Sequence, residues 1–555
     1  MKNICIIGAG PSGLTTIKEL LDEGHSPVCF EAANDLGGLF NINISSAKVF
    51  ESTLLTVSNH FIAFSDFPAA EEKRIHWSHQ EYLSYLKKYA HHFNLVEHIQ
   101  FDTKVLHVQE NNGKYHVKIV RKNVEHSHIF DSVIVCTGTH QEPNIPDIHD
   151  NEAFEGDIIH SAEYLNNKPF TGKKVVVIGI GESSADIVRE VSDVSETCHL
   201  VIKQYPFIIP RNYDYESSDS NTSMFPLENI YPRNIILRFH ALFWSILERL
   251  NLTKRKYTTD SFNQSLLKKH LDINTPFSKE AIELIKSWME LEGNTPGNKF
   301  ATKNASFLTN ILNDRLQVKK GLVQRIKSKS VILTCGKEIK CDTILFCTGY
   351  KEKFQFLDKN LQIENIRNLY LNAFHPKYKN LVFIGWNRPT VGGVPNCSEM
   401  IARYYALVLN HKKYLPEYKE MVRIINQDKS LIEQQFTKSS QIKTLVSYQA
   451  FMLRMSQLIG CDIKWNKLIL SPQLVYKLVC GSMISYRYRL FGPHSNYKQS
   501  KKLICKLNIG PIIKKIALKI LFRRLFYLKD KPLTFNDVFY KEVKIDDNII
   551  RKYDF

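Results

Sequence analysis

Two stretches of the chain repeat the same order of apolar and polar positions. Each begins with a run of apolar residues, at 4–7 and 175–178, which is typical of a buried strand. Each continues through a glycine-rich turn into a segment where apolar residues recur every three or four positions, as in an amphipathic helix. A further apolar strand follows, at 27–30 and 199–202. The pattern therefore predicts two strand–turn–helix–strand units about 170 residues apart.

The first turn has the glycine spacing of a dinucleotide site. Residues 4–14 read ICIIGAGPSGL, with Gly8, Gly10 and Gly13 in G-x-G-x-x-G register. The first glycine permits a tight turn, the second lets a diphosphate approach the backbone, and the third allows the helix to pack closely. The free N–H groups of the helix start favour an anion. The predicted cofactor-binding residues of this turn are Gly8, Ala9, Gly10, Pro11, Ser12 and Gly13.

An acidic residue ends the strand that follows. Glu31 lies about 20 residues after the glycines, where an acceptor for ribose hydroxyls is expected. A carboxylate at this position repels a 2′-phosphate, so the first site suits FAD or NAD rather than NADP.

The second turn differs from the first in its charges. Residues 174–186 read KVVVIGIGESSAD, and Ser184 stands in place of the third glycine. No acid ends the next strand; instead Lys203 follows it and Arg211 lies nearby, and such cations suit the 2′-phosphate of NADPH. A solvated strand end is the alternative explanation for Lys203. The predicted cofactor-binding residues here are Gly179, Gly181, Ser183, Ser184, Asp186, Lys203 and Arg211.

Two such sites in one chain predict an α/β fold with two Rossmann-like dinucleotide-binding domains, of which the NADP domain is inserted in the FAD domain. A polar loop at 214–223 and a long apolar helix at 234–250, interpreted as buried, predict a helical insertion. The predicted boundaries are an FAD-binding part at 1–150, an NADP-binding part at 151–211, the helical insertion at 212–300, the NADP return at 301–345, a second FAD-binding part at 346–495, and a basic C-terminal extension at 496–555.

Composition and charge narrow the function classes. Hydrophobic residues make up 43% of the 555 residues, which excludes a disordered or collagen-like chain. Lys and Arg number 74 against 56 Asp and Glu, and this excess of +18 indicates an anionic ligand or surface, or simple solubility. The eleven cysteines include no C-x-x-C pair, which disfavours a zinc ribbon and a disulfide reductase. Scattered thiols and the lack of a signal peptide or a long apolar span predict a cytoplasmic protein without a bound metal.

The C-terminal extension is the most basic part of the chain. Residues 501–531 contain ten Lys or Arg and a single acid, Asp530. In helical phase, one face would be apolar (Ile512, Ile513, Ile516, Ala517, Ile520, Leu521) and the other basic (Lys514, Lys515, Lys519). This predicts peripheral contact with anionic lipid at the cytoplasmic face, with packing against the protein body as the alternative. No nucleic-acid-binding motif accompanies the charge.

Residues 154–164, FEGDIIHSAEY, resemble the F-x-G-x-x-x-H-x-x-x-Y motif of the flavin-containing monooxygenases, just before the second glycine turn. His160 within it is interpreted as a structural histidine. Further stretches resemble the family in order, over roughly residues 1–495. They are LGGLF at 36–40, FSDFP at 64–68, CTG at 136–138 and again at 347–349, SEMIAR at 398–403, and YRLFGP at 488–493.

The resemblance implies a monooxygenase that uses NADPH, O2 and FAD. It implies that a flavin C4a-hydroperoxide transfers oxygen to a soft nucleophile, a nitrogen or sulfur atom of a small molecule, while the protein orients the cofactors and excludes water. Gly38, Leu39 and Phe40 would flank the flavin, and Thr348 and Gly349 would belong to a segment that links the domains.

Three points stay open at this stage. The family's asparagine beside the flavin corresponds to Thr56, with Asn59 as the nearest asparagine, so both are candidate catalytic residues. Tyr164 followed by Leu165 departs from the motif of the Baeyer–Villiger variant of the family. This departure favours oxygenation of a heteroatom over oxygenation of a ketone. An uncoupled NADPH oxidase or flavin reductase, and a degenerate flavoprotein that binds a membrane or partner, are the alternatives.

Overall fold

The computed structural model describes residues 1–45, 47–148, 154–213, 216–223, 235–249, 279–294, 298–439, 442–511, 513–514, 517–518 and 521. Its α-helices there are α1 Pro11–Asp22, α2 Asn59–Ile62, α3 His79–His92, α4 Glu182–Val194, α5 Ile235–Arg249, α6 Lys279–Glu292, α7 Leu308–Leu312, α8 Val394–Leu409, α9 Tyr418–Gln435, α10 Tyr448–Ile459, α11 Pro472–Cys480 and α12 Tyr497–Lys506. Its strands there are β1 Asn3–Ile7, β2 Ser26–Phe30, β3 Ile99–Gln100, β4 Thr103–Asn111, β5 Lys114–Arg121, β6 Val124–Phe130, β7 Ser132–Val135, β8 Glu142–Pro143, β9 Asp157–His160, β10 Lys174–Ile178, β11 Thr197–Ile202, β12 Phe207–Ile208, β13 Asn212–Tyr213, β14 Glu216–Ser217, β15 Ala301–Thr302, β16 Gln317–Lys320, β17 Val323–Lys327, β18 Ser330–Leu333, β19 Glu338–Lys340, β20 Thr343–Phe346, β21 Tyr350–Lys351, β22 Leu381–Phe383, β23 Arg388–Pro389 and β24 Leu445–Val446.

The first parallel sheet has the strand order β22-β7-β1-β2-β3. Its centre, β1, pairs with β2 and β7 in parallel register, so that Ile4 lies opposite Pro27 and Ser132. The apolar run of β1 is buried from Ile4 to Ile7 because the sheet is covered on both faces. Helix α1 connects β1 to β2 and packs against α8, which returns from the distant part of the chain.

The second parallel sheet has the order β16-β11-β10-β20-β9. All its strands come from residues 157–346, whereas the first sheet takes its strands from residues 3–135 and 381–383. The second unit is therefore inserted into the first, and the predicted α/β fold with two Rossmann-like domains is confirmed. The short antiparallel pair of β8 and β21 connects the two units.

The insertion differs from its predicted form in two ways. The described part of its first segment, predicted as a polar loop, forms β14, which pairs antiparallel with β13, and a 3-10 turn at Ser218–Asn221. Asp219 and Ser220 are buried there. Helix α5 agrees with the predicted helix, but only one of its faces is buried. It packs against α11 with Ala241 inward, while Phe239 and Phe243 are 52% and 56% exposed.

The described part of the basic extension packs against the protein. Ile513, Ala517 and Leu521 are buried in the largest hydrophobic cluster, so this side of the predicted amphipathic face is covered by the core. The rest of the predicted face (Ile512, Ile516, Ile520, Lys515 and Lys519) and residues 522–531 lie outside the described residues. Among the helices that the structure describes, none has the length and apolar character needed to cross a membrane.

Candidate cofactor sites

The first glycine turn leaves an open cradle at the start of α1. No side chain caps the helix and no acid lies in its first turn, so its free N–H groups can meet an anion. A Cβ built on Gly10 would have only the Gly38 Cα nearby, at 3.7 Å, whereas one on Gly13 would lie 1.9 Å from the Gly8 carbonyl oxygen. Gly13 is thus required for packing, and Gly10 keeps the approach to the backbone open. These residues fit a dinucleotide diphosphate.

Glu31 lies at the edge of this cradle. Its carboxylate accepts the Ala9 N–H at 2.6 Å and the Ala33 N–H at 2.9 Å. Burial raises the pKa of Glu31, and these backbone N–H groups oppose the rise. Each carboxylate oxygen can accept a second hydrogen bond. The carboxylate is therefore oriented by the turn and can still receive ribose hydroxyls.

The segments that would flank a flavin meet at this cradle. A Cβ on Gly38 would come within 3.1 Å of the Gly10 Cα, so the 37–40 turn lies directly against the first glycine turn. Leu39 is partly buried, and the Phe40 ring packs edge-on against Tyr82 with centroids 4.7 Å apart. Pro11 is the first residue of α1.

A buried ionic cluster connects three motifs that are far apart in sequence. The Arg489 guanidinium contacts Glu19 at 2.5 Å, Asp66 at 3.0 Å and Glu399 at 3.1 Å. The Ser65 N–H donates to both oxygens of Glu399, at 3.0 and 3.2 Å. The neighbouring Ser398 hydroxyl lies 2.9 Å from that of Ser12 in the glycine turn. The FSDFP, SEMIAR and YRLFGP stretches thus form one support beneath the first site.

The two candidate catalytic residues have different surroundings. Asn59 is fully buried and uses its whole amide within its own segment. Its oxygen accepts the N–H groups of His60 and Ile75, and its nitrogen donates to the Lys73 carbonyl and a Glu71 carboxylate oxygen.

Thr56 lies three residues earlier and is partly exposed. Within the described chain, its hydroxyl makes no hydrogen bond. The segment that carries it is fastened to the insertion by Asp219, whose carboxylate accepts the Ser58 N–H at 2.6 Å and the Ser58 hydroxyl at 2.9 Å. The Ser217 hydroxyl donates to the same carboxylate at 2.8 Å. Asp219 could not be predicted, because a lone acid in a polar segment carries no signal for such a contact.

The second glycine turn repeats the cradle with two changes, an acid, Glu182, in the first turn of its helix and a serine in place of the third glycine. Helix α4 begins after Gly181 without a side-chain cap, and a Cβ on Gly181 would meet no atom within 4 Å. Ser184, which replaces the third glycine, folds its hydroxyl back to the Gly179 carbonyl at 2.6 Å. Ser183 is exposed at the helix start. The turn therefore fits a second diphosphate.

The predicted 2′-phosphate ligands are not equivalent. Lys203 is exposed immediately after β11. Arg211 is buried and holds the Asp186 carboxylate with two nitrogen–oxygen contacts of 2.7 and 3.1 Å. Asp186 also accepts the Asn304 amide at 2.5 Å. Arg211 and Asp186 therefore form a pair that ties the segment after β12 to α4.

The segment between the two units is connected by hydrogen bonds. The Thr348 hydroxyl donates to the Asn144 carbonyl at 2.5 Å, and the Asn144 N–H donates to the Gly349 carbonyl at 2.9 Å. His160 is buried, accepts the Ala162 N–H at 3.1 Å, and has its pKa lowered by burial. It therefore stays neutral at pH 7, as suits a structural histidine.

The structure also brings together two cations at one aromatic ring, which the sequence did not predict. The guanidinium carbon of Arg388 lies 4.4 Å from the centre of the Phe300 ring, and the Lys303 Nζ lies 6.0 Å from it. Both act electrostatically on Glu182 in the first turn of α4. Nothing in the spacing along the chain signals this group, because its members come from three distant segments.

Comparison with known proteins agrees with this geometry. Residues 1–517 match the family model described as flavin-binding monooxygenase-like. The chain is 34% identical to a 4-hydroxybenzoate brominase (decarboxylating) of Marinomonas mediterranea, over 91% of this chain and 92% of that protein. It is 28% identical to flavin-containing monooxygenase 5 of Oryctolagus cuniculus, over 88% of this chain and 89% of that protein. The solved structure of S-allyl-L-cysteine S-oxygenase from Allium sativum has the same fold, with a TM-score of 0.56, 20% identity, and coverage of 91% of this chain and 99% of that one.

The two glycine cradles, the inserted second sheet and the match along nearly the whole chain lead to one conclusion: the chain belongs to the flavin-binding monooxygenase-like family and is an oxidoreductase.

Proposed function

We propose that the chain is an NADPH- and O2-dependent monooxygenase that oxygenates a nitrogen or sulfur atom of a small molecule. The observation that carries this proposal is the pair of uncapped helix starts, α1 and α4, at open glycine turns on two sheets of which one is inserted in the other. A flavin held in the first cradle would supply the redox chemistry, in which a hydride from NADPH, a proton and O2 would give one oxygen atom to the substrate and one to water.

FAD is proposed for the first cradle. The backbone of residues 8–13 would hold the diphosphate, with Ala9 and Ser12 between the glycines, and Glu31 would hold a ribose. The turn of Gly38, Leu39 and Phe40 would border the flavin. The support for this assignment is the open approach at Gly10 and the orientation of the Glu31 carboxylate.

NADPH is proposed for the second cradle, with Gly179, Gly181, Ser183 and Ser184 around the diphosphate. Lys203 is the proposed 2′-phosphate ligand, because Arg211 is occupied by Asp186. Lys203→Ala should raise the KM for NADPH about tenfold and leave that for NADH unchanged, since NADH lacks the phosphate. Lys340→Ala, at another exposed lysine of the inserted unit, is the matched control. An equal effect on both nucleotides would contradict the assignment.

Thr56 is proposed as the residue at the junction of flavin and nicotinamide, since the Asn59 amide is saturated by its own segment. The site must exclude water, and the short, partly exposed hydroxyl of Thr56 closes it less well than the longer amide of an asparagine would. Thr56→Asn should therefore lower the fraction of NADPH that ends as H2O2, while Ser52→Asn at an exposed position four residues earlier should not. An unchanged fraction in both variants would count against Thr56.

The overall activity is tested with purified protein that contains its flavin. NADPH loss, O2 uptake and H2O2 formation are measured with thioanisole, N,N-dimethylaniline or cyclohexanone. Oxygenated thioanisole or dimethylaniline in proportion to NADPH supports the proposal. Product from cyclohexanone alone would indicate ketone oxygenation instead. H2O2 equal to NADPH with every probe would indicate an oxidase.

Halide oxidation is a second candidate, because the identity to the brominase, 34%, exceeds the 28% to flavin-containing monooxygenase 5. Bromide is itself a soft nucleophile. With O2, a hydride from NADPH and two protons, bromide would yield hypobromous acid and one water. The test adds sodium bromide and 4-hydroxybenzoate to the same assay. A brominated product with the bromine isotope pair supports this candidate, and its absence with continued sulfide oxygenation refutes it.

A further inference from the structure

Lys303 and Arg388 are partly buried cations whose charge nothing nearby neutralises by direct contact. In the part of the chain that the structure describes, neither the Lys303 ammonium nor the Arg388 guanidinium has an ion-pair partner or a hydrogen-bond acceptor. Both instead lie near one aromatic ring, that of Phe300, at 4.4 Å for Arg388 and 6.0 Å for Lys303. Desolvating a cation without a partner is costly, so such a pair needs a reason.

The acids around these cations are already engaged. Asp186 is held by Arg211 and Asn304, and Asp219 accepts the Ser58 and Ser217 groups. Glu182 acts on both cations from a distance, and one of its oxygens accepts the Lys303 backbone N–H at 3.0 Å.

The electrostatic balance of this group reflects their burial. Burial lowers the pKa of Lys303. The carboxylates of Glu182 and Asp219 act to raise this pKa, and the charge of Arg388 lowers it further. Burial also lowers the pKa of Arg388, against the attraction of Glu182. A bound anion would relieve both cations.

The two cations belong to the two different units that carry the cradles. Arg388 begins β23 on the side of the first sheet, three residues after Gly385, where a Cβ would lie 2.8 Å from the Ser12 hydroxyl oxygen. Lys303 follows β15 in the inserted unit, beside the first turn of α4. The two cations thus come from opposite units and lie at the same aromatic ring, and the charge of Arg388 acts on Lys303.

We propose that Lys303 and Arg388 form an anion site that takes the carboxylate of the substrate, an inference that rests on the proposed monooxygenase function. The planar guanidinium matches a carboxylate in a paired geometry, and the Phe300 ring provides an apolar wall for the carbon skeleton beside it. A diphosphate in the second cradle would be bound by the free N–H groups at the start of α4. It would therefore not require the two cations.

The experiment is a binding titration on the full-length, flavin-loaded protein. The probes are 4-hydroxybenzoate and its neutral methyl ester, followed by the change in flavin absorbance or by calorimetry. The wild type should bind the anion at least tenfold more tightly than the ester. Arg388→Gln and Lys303→Met should each reduce this preference about tenfold, because each removes one charge-assisted contact. Arg121→Gln and Lys340→Met, at exposed positions, should keep the preference.

The same titration with NADP⁺ separates the two possible sources of the anion. If the Arg388 and Lys303 variants weaken NADP⁺ tenfold and leave the preference for the carboxylate unchanged, the cations serve the dinucleotide and the proposal is wrong. A wild type without preference for the anion also refutes it. Arg388→Lys, which keeps the charge without the planar fork, should show an intermediate preference and guards against a folding defect in Arg388→Gln.

Anaerobic reduction of the bound flavin by NADPH is measured on the same preparation. If reduction occurs and the preference for the anion is missing, only the anion site fails. If reduction does not occur, the proposed function fails first.

Discussion

Replacing Arg489 tests how the core holds its buried charge. Its side chain is 2% exposed, and Arg489→Met would leave Glu19, Asp66 and Glu399 without their shared cation. Removing one partner of a buried ion pair typically costs about 3–5 kcal/mol. Lys18 still contacts Glu19 at 3.2 Å, so we expect a loss near the lower figure, about 3 kcal/mol.

The pH dependence of this loss gives a second measurement. Burial raises the pKa of Glu19, but Arg489 and Lys18 outweigh it and bring the pKa from 4.5 to about 2. A carboxyl group with a lowered pKa stabilises the fold above its unfolded value, and this contribution disappears as the pH falls through its folded value. The difference between wild type and variant should therefore be full above about pH 4.5 and shrink as the pH approaches 2.

The assay is urea unfolding followed by tryptophan fluorescence, at pH 7 and at pH 4. The matched control is Arg423→Met, because Arg423 also contacts a carboxylate, Glu420 at 2.7 Å, but is 63% exposed. An exposed pair of this kind contributes little, so the control should unfold as the wild type does. Equal midpoints for the two variants at pH 7 would refute the reasoning, and so would a difference that grows toward acid pH.

Three further outcomes are expected. Gly13→Ala should lose bound flavin, since its Cβ would lie 1.9 Å from a carbonyl oxygen. Gly181→Ala meets open space, so it should keep the melting temperature and raise the KM for NADPH about tenfold. Thermal unfolding and initial rates would check both variants. Cys335 is exposed and should react with a thiol reagent at pH 8 in the native protein, while Cys136, whose pKa burial raises to about 12, should react only after unfolding; mass spectrometry of the labelled peptides would check this. Asp219→Asn should lower the free energy of unfolding by about 1–3 kcal/mol, because an amide nitrogen cannot accept the serine hydrogens. It should also increase the share of NADPH that ends as H2O2. An unchanged share would contradict the link between the insertion and the Thr56 segment.

The local pattern of the chain was enough to predict the two glycine cradles. Strand, turn and helix follow each other within about 20 residues, and each carries its own periodicity or glycine spacing. The predicted run at 4–7 lies within β1, the strand at 199–202 lies within β11, and the helix at 234–250 agrees with α5. Such elements are predictable because neighbouring residues decide them.

Contacts between distant segments could not be read in the same way. The polar segment at 214–223 was expected to be a loop, but Asp219 is buried because Ser58 and Ser217 satisfy its carboxylate. The ion pair of Arg211 with Asp186 is a second contact that the sequence pattern does not signal. Asp219 meets Ser58 from a distant segment. Arg211 meets one of several acids that the sequence pattern does not distinguish.

The division has a physical basis. Backbone conformation and hydrophobic periodicity are short-range properties, so the order of residues is sufficient for the strands, the helices and the turns that would hold the cofactors. The Arg489 cluster, the Asp219 bridge and the pair of Lys303 and Arg388 depend on which segments fold against each other, and on whether a buried charge finds a partner there. Only packing in three dimensions selects those partners.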